Sequence, residues 1–179
     1  MKSVKQLDVK PGMSVKELVE EMSKSGVFGA GRIAQAAEIL KEMKKEKDCK
    51  IFLGLAGAMV PGGMKNIIID MLKNGYIHVF VTTGANLTHD MVEALGFEHY
   101  QGTSQVDDKE LHKKGIDRIY ETFMPNKVYV ELEKFFNKNF DQLKNETNIK
   151  EFLWKIGSML EKESILKTWY EKKIPIFCP

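Results

Sequence analysis

Residues 51–96 read IFLGLAGAMVPGGMKNIIIDMLKNGYIHVFVTTGANLTHDMVEALG, in which two short apolar runs alternate with two stretches of helical spacing. Ile51, Phe52 and Leu53, closed by Gly54 to Gly57, read as a buried strand, and Ile77 to Thr82 read as a second. Between them Pro61 suits a first helical position, and Met64, Ile67, Ile68, Met71 and Leu72 mark a helix that stops at Gly75. After the second strand a polar, glycine-bearing turn leads into a helix of Leu87, Met91, Ala94 and Leu95. Strand, glycine-rich turn, helix and strand in this order predict right-handed crossovers. The fold class is α/β, a parallel sheet with helices packed on its faces.

Upstream, Ser14 and Glu17 form a capping box before Val15, Leu18, Val19 and Met22, which predicts an amphipathic helix ended by Gly26. Ile33, Ala36, Ala37, Leu40 and Met43 mark a second helix with a solvated, charged tail. Downstream, residues 98–125 have weak periodicity and predict an excursion with one short helix near Asp108. Three helices follow, carrying Tyr129 to Leu143, Ile149 to Leu160, and Ile165 to Trp169. Ile174 to Phe177 then read as a third strand. A sheet of three strands is small for so many helices, so one edge is expected to lack a partner.

The 179 residues could bury roughly 70% of the surface their unfolded form exposes, enough for a core. With 27 basic and 25 acidic side chains the net charge is +2, which disfavours nucleic acid as a partner. Neither a membrane-spanning run nor a hydrophobic signal core is evident, so a cytoplasmic location is the expectation. Cys49 and Cys178 fit neither a zinc spacing nor a disulfide framework. No metal site is expected.

Ligands bind beyond the carboxyl ends of parallel strands, which directs attention to Gly54–Gly63 and Thr82–Asp90. Small residues there let backbone N–H groups approach a phosphate or carboxylate at a helix N-terminus; alternatively the glycines only permit tight turns. Gly29-Ala-Gly31-Arg-Ile-Ala34 matches a dinucleotide fingerprint formally, but it follows a helix end instead of a strand, so it reads as a structural loop. The histidines at 78, 89, 99 and 112 lack paired metal-ligand spacing. His78 reads as a packed or edge side chain. His89, in the first turn of a helix opening from a strand end, reads either as a functional group or as a surface histidine, with Asp90 beside it favouring its protonated form. Asp107 and Asp108 read as helix-capping acids, and no Ser/His/Asp or Cys/His set can be assembled.

The runs Ile51–Met71, Val79–Gly96, Gly115–Tyr129 and Ile174–Pro179, with Phe28-Gly-Ala-Gly-Arg32, resemble deoxyhypusine synthase in its archaeal and bacterial branch. The resemblance implies a Rossmann-like parallel sheet with helices on both faces, here incomplete without a C-terminal half. Residues 1–179 would be the N-terminal half of a single NAD-binding domain, with 1–48 a helical segment and 49–179 carrying the sheet and its helices. It implies NAD-dependent transfer of the aminobutyl group of spermidine to a lysine of the translation initiation factor 5A precursor, in a homotetramer with shared active sites. Gly57, Ala58, Met59, Val60 and Pro61 match the family's first NAD loop, and Thr83, Gly84 and Ala85 its second. Thr88 and His89 stand where eukaryotic members carry two glutamates near cofactor and polyamine, leaving Asp90 as the local acid. Thr88, His89 and Asp90 are therefore the expected substrate contacts, with His89 also toward the nicotinamide.

The family's nucleophilic lysine lies in a Trp-Gly-Lys motif of the second half, and Trp154-Lys155-Ile156 does not match it. No catalytic lysine is expected in this chain, which would turn over only with a C-terminal half or a second subunit. Two other readings stay open: a homospermidine synthase-like transferase, and a non-catalytic NAD-binding subunit that supports a catalytic partner.

Overall fold

Ser14 accepts a hydrogen bond from the Glu17 N–H while the Glu17 carboxylate accepts from the Ser14 N–H, and this reciprocal cap starts α1 (Val15–Ser25). Gly26, left-handed at φ 69°, ends it by donating its N–H to the Met22 carbonyl. The next helix, α2 (Phe28–Lys45), begins five residues before its first sequence marker, Ile33. Gly29 to Ala34 are thus helical and not the expected loop. The reason is steric: a Cβ on Gly31 would come within 2.7 Å of the Gly26 carbonyl oxygen, so glycine lets the start of α2 pass the end of α1. The computed structural model describes residues 1–179, and these helices belong to the first of two units, Met1–Lys50 and Ile51–Pro179.

The second unit runs β1 (Phe52–Leu55), α3 (Lys65–Lys73), β2 (Val79–Thr82), α4 (Gly84–Ala94), β3 (Tyr100–Gln101), α5 (Asp108–Lys113), β4 (Ile116–Ile119), β5 (Thr122–Pro125), α6 (Lys127–Leu143), α7 (Ile149–Met159), α8 (Ile165–Lys172) and β6 (Ile176–Phe177). β2 lies centrally in a parallel sheet of order β1-β2-β6, with Phe52 opposite Val79, Leu55 opposite Thr82 and Phe80 opposite Ile176. On one face Phe80 and Ile176 are fully buried, and the Phe80 ring lies 4.3 Å from that of Trp169 in α8. The core grows from this pair through Ile68, Leu72, Ile156 and Leu166. On the other face Phe52 is 65% and Phe177 51% exposed, with Val79 and Val81 between them half-buried. The α/β class with a parallel sheet holds.

Two further expectations need correction. Pro61 does not open a helix: Gly62 donates to the Ala58 carbonyl, Gly63 to Val60 and Met64 to Met59 in a compact turn, and left-handed Gly63 (φ 82°) delays α3 to Lys65. Residues 98–125 hold more than a helix, because β3, β5 and β4 form an antiparallel sheet around the two-residue turn Tyr120-Glu121. That turn lacks the Asn-Gly signal of a tight hairpin, with Tyr120 itself left-handed at φ 51°. No helix is long and apolar enough to cross a membrane.

The α7–α8 contact depends on Gly157, where a Cβ would lie 2.9 Å from the Leu166 carbonyl carbon and 3.1 Å from Tyr170 Cβ. Gly157→Ala should therefore destabilise the fold by about 1–3 kcal/mol through overpacking, despite alanine's better helix propensity. Urea unfolding checks this, and an equal or raised midpoint would contradict the close approach.

Candidate functional site

The parallel register ends β1 and β2 side by side, since Leu55 pairs with Thr82. The turns that follow therefore lie abreast on the carboxyl edge of the sheet, where ligands of such folds bind. In the first turn Gly57 is left-handed (φ 81°), and a Cβ there would meet nothing within 4 Å. Ala58, Met59 and Pro61 are half-buried, while Val60 anchors the turn in the core.

In the second turn Thr83 stands at the N-cap of α4 with extended backbone, yet its hydroxyl does not cap the helix. The first intrahelical bond runs from the Leu87 N–H to the Thr83 carbonyl at 3.2 Å, so the N–H groups of Gly84, Ala85 and Asn86 lie at the helix mouth. Gly84 and Ala85 are exposed, and a Cβ on Gly84 would meet nothing within 4 Å. Asn86 is fully buried and donates to Thr82 Oγ1 at 3.1 Å. Its Oδ1 and the Thr83 hydroxyl are buried without any partner, an arrangement that costs free energy in the absence of a ligand.

Along α4, Thr88 is half-buried, His89 is 8% exposed and Asp90 is fully buried. Asp90 accepts from the Ile165 and Leu166 N–H groups, both at 2.9 Å, and so caps α8. This corrects the expectation that it meets a cationic substrate, because both its oxygens face the packed interior. Burial pushes the Asp90 carboxyl up to about 6, opposed by those two bonds. Nor does Asp90 charge His89, whose pKa is lowered by burial and then by His99, with Glu93 opposing.

The partner of His89 is His99: Nδ1 and Nε2 lie 2.9 Å apart. The other nitrogen of His99 lies 2.9 Å from Glu93 Oε1, and Lys65 at the start of α3 pairs with Glu93 Oε2. Burial raises the Glu93 carboxyl, but the bonds from His99 and Lys65 outweigh it and leave the group below its ordinary value. His99, Glu93 and Lys65 were not singled out in the sequence. A signal for Glu93 was present, because residues four apart share a helix face and His89 precedes it by four. His78 lies elsewhere, with its Nδ1 accepting from the Ile51 N–H at 3.0 Å at the entrance to β1. Trp154 and Lys155 lie in α7, where the Trp154 indole N–H donates to the Ile174 carbonyl at 3.0 Å.

A family model described as deoxyhypusine synthase matches residues 17–179. A Methanosarcina mazei protein named probable deoxyhypusine synthase 1 is 45% identical over 178 residues, covering 98% of this chain and 56% of its own length. One of the same name from Archaeoglobus fulgidus is 40% identical over 173 residues, covering 96% and 57%. A crystal structure of a putative deoxyhypusine synthase from Entamoeba histolytica superposes with a TM-score of 0.63 at 20% identity, over 98% of this chain and 62% of that one. The likeness in structure supports the fold. The chain spans little more than half the length of the archaeal relatives.

Because the folded state raises the Asp90 pKa from 3.8 to about 6, it binds that proton more tightly than the unfolded chain. Stability contributed at this site is full below pH 4 and is lost as pH rises to about 6. Asp90→Asn does not titrate, so the stability difference between wild type and variant should shift by about 2.4 kcal/mol in the variant's favour between pH 4 and pH 7. Urea unfolding at both pH values tests this, and a difference independent of pH would place Asp90 at an ordinary carboxyl value.

Proposed function

The chain belongs to the deoxyhypusine synthase family, and from that premise we propose that it supplies the nucleotide-binding portion of an NAD-dependent aminobutyl transferase. The observation that carries this reading is the pair of turns on one sheet edge, with the Thr83 hydroxyl and Asn86 Oδ1 orphaned beside exposed Gly84. Buried polar atoms without partners suit a ligand rich in hydroxyls and phosphates. The residues present fit a dinucleotide: Gly57, Ala58, Met59, Val60 and Pro61 form one wall, and Thr83, Gly84 and Ala85 with the α4 mouth form the other.

The N–H groups of Gly84 and Ala85, at the positive end of the α4 dipole, would receive a phosphate. When bound, nicotinamide supplies a hydride acceptor for the carbon beside the secondary amine of spermidine. Thr88 and His89 follow one turn along α4 and face the amine end. The aminobutyl group then passes to a lysine of the translation initiation factor 5A precursor, with the nucleophilic lysine coming from a second segment. The sheet face bearing the exposed Phe52 and Phe177 is where such a segment, a C-terminal half or another subunit, would pack to complete a tetrameric enzyme of the cytoplasm.

Spermidine, NAD and either the factor precursor or putrescine, given to the assembly of this chain with that segment, test the reading. Aminobutylated precursor is the expected product. Free homospermidine would instead make the protein a small-amine transferase, the alternative that Thr88 and His89 in place of two acids keeps in view. No product from either acceptor, with NAD still bound, would leave a supporting subunit.

Gly84→Val should weaken NAD binding by the assembly by about tenfold or more while preserving the fold, because the branched side chain fills the approach to the α4 N–H groups. Calorimetric titration with NAD measures this. Unchanged affinity would remove the second turn from the cofactor site.

A further inference from the structure

His89, His99 and Glu93 form a row whose hydrogen bonds, with both imidazoles neutral, admit one assignment of protons. Glu93 is ionised, paired with Lys65 through Oε2, so the His99 nitrogen 2.9 Å from Oε1 must donate. The remaining nitrogen of His99 is then an acceptor, and His89 Nδ1 must carry the proton that joins them at 2.9 Å. It follows that His89 Nε2 bears a bare lone pair. His89 lines a cavity of about 210 Å³ shared with His99, Asp117, Arg118, Thr122 and Tyr129, and Nε2 has no partner in the protein.

Resting on the function proposed above, we propose that His89 Nε2 is the proton acceptor for the amine substrate, with His99 and Glu93 as positioning residues that fix its tautomer and receive its charge. The substrate ammonium gives one N–H proton to His89 Nε2, and the proton on His89 Nδ1 moves to His99 Nε2. His89 ends neutral, with its proton on Nε2. His99 ends as an imidazolium held between His89 and the Glu93 carboxylate. No electrons change hands in this step. The neutral amine is then able to lose hydride from its adjacent carbon, leaving an iminium, which the ammonium form cannot do.

Charged groups face the row from every side. Asp117 and Arg118 of β4 and Tyr129 of α6 stand across the cavity. Glu98 and Lys162 lie near Glu93, with Glu121 beside His99 in the neighbouring groove. Asp90 points the other way, into the α8 cap. Of these only Glu93 and Lys65 are bonded into the row, so removing the Glu93 charge should lower the proton affinity of the histidine pair.

Two measurements decide the proposal. Ring-nitrogen NMR of the full chain should find His89 protonated on Nδ1 and bare on Nε2, with Glu93→Gln giving a mixture of tautomers. A wild-type His89 protonated on Nε2 would overturn the row whatever the assembly does. Single-turnover NAD reduction by the assembly with spermidine should then fall about 100-fold or more for His89→Gln with NAD affinity unchanged. His99→Gln can still accept from His89 and donate to Glu93 but cannot hold the proton, so kcat should fall with KM preserved. In Glu93→Gln the acid limb of the pH profile should move to lower pH. Wild-type rates in both histidine variants would overturn the proposal. No reduced nicotinamide from the wild-type assembly would overturn the proposed function instead, and the nitrogen spectra keep the two failures apart.

Discussion

The carboxylate of Asp90 holds the two halves of the second unit in register. It joins residues 75 positions apart, receiving the first free N–H groups of α8 from the middle of α4. Burying an unpaired carboxylate would be prohibitive. Two N–H bonds and the positive end of a helix offset much of that cost. The bonds also fix the rotation of α4 about its axis. Successive helical residues project about 100° apart, so with Asp90 turned to α8, His89 is turned away from it, and Glu93 shares the face of His89.

A second constraint comes from strand direction. Because β1 and β2 run parallel and in register, their following turns reach the same edge, and the helices after them start side by side. Lys65, first residue of α3, thereby comes within reach of Glu93 on α4. The ion pair thus links the helix behind the first turn to the helix behind the second, and the histidine pair ties α4 to the segment before β3. The antiparallel sheet of β3, β5 and β4 closes the far side, contributing Thr122 and Met124 to the cavity wall beside His89. Its position follows from α4, whose last turn leads through Gly96 to His99 and β3.

Much of this was legible in the residue order. Apolar runs bounded by glycine located β1 and β2, and helical spacing located α4, α6, α7 and α8, because burial of one face requires those periods. The capping box at Ser14 and Glu17 marked the start of α1, since both groups of the cap are local. The antiparallel sheet was not legible, because its strands are two to four residues long and its turn uses Tyr120 and Glu121. The role of Asp90 was misread for a different reason. Its partners, Ile165 and Leu166, are backbone donors that no side-chain pattern advertises, and an acid beside a strand-end turn looks the same in sequence whether it faces a ligand or a distant helix.

The histidine row bears on what an imidazole does differently from a carboxylate at position 89. A carboxylate that accepts a proton becomes neutral, whereas an imidazole that does so becomes a cation. In a buried site that takes a proton from a cation, a new positive charge on the lining would oppose the step. Passing the proton from His89 to His99 removes the charge from the cavity lining and places it against Glu93. Lys65 is essential to that outcome, since its pairing keeps Glu93 ionised and able to hold an imidazolium instead of quenching it. The side chain touching the cavity returns to neutrality while the anion that stabilises the proton remains one imidazole away. The carboxylate that serves His89 thus stands one helical turn along the same face of α4, and the His99 imidazole spans the distance.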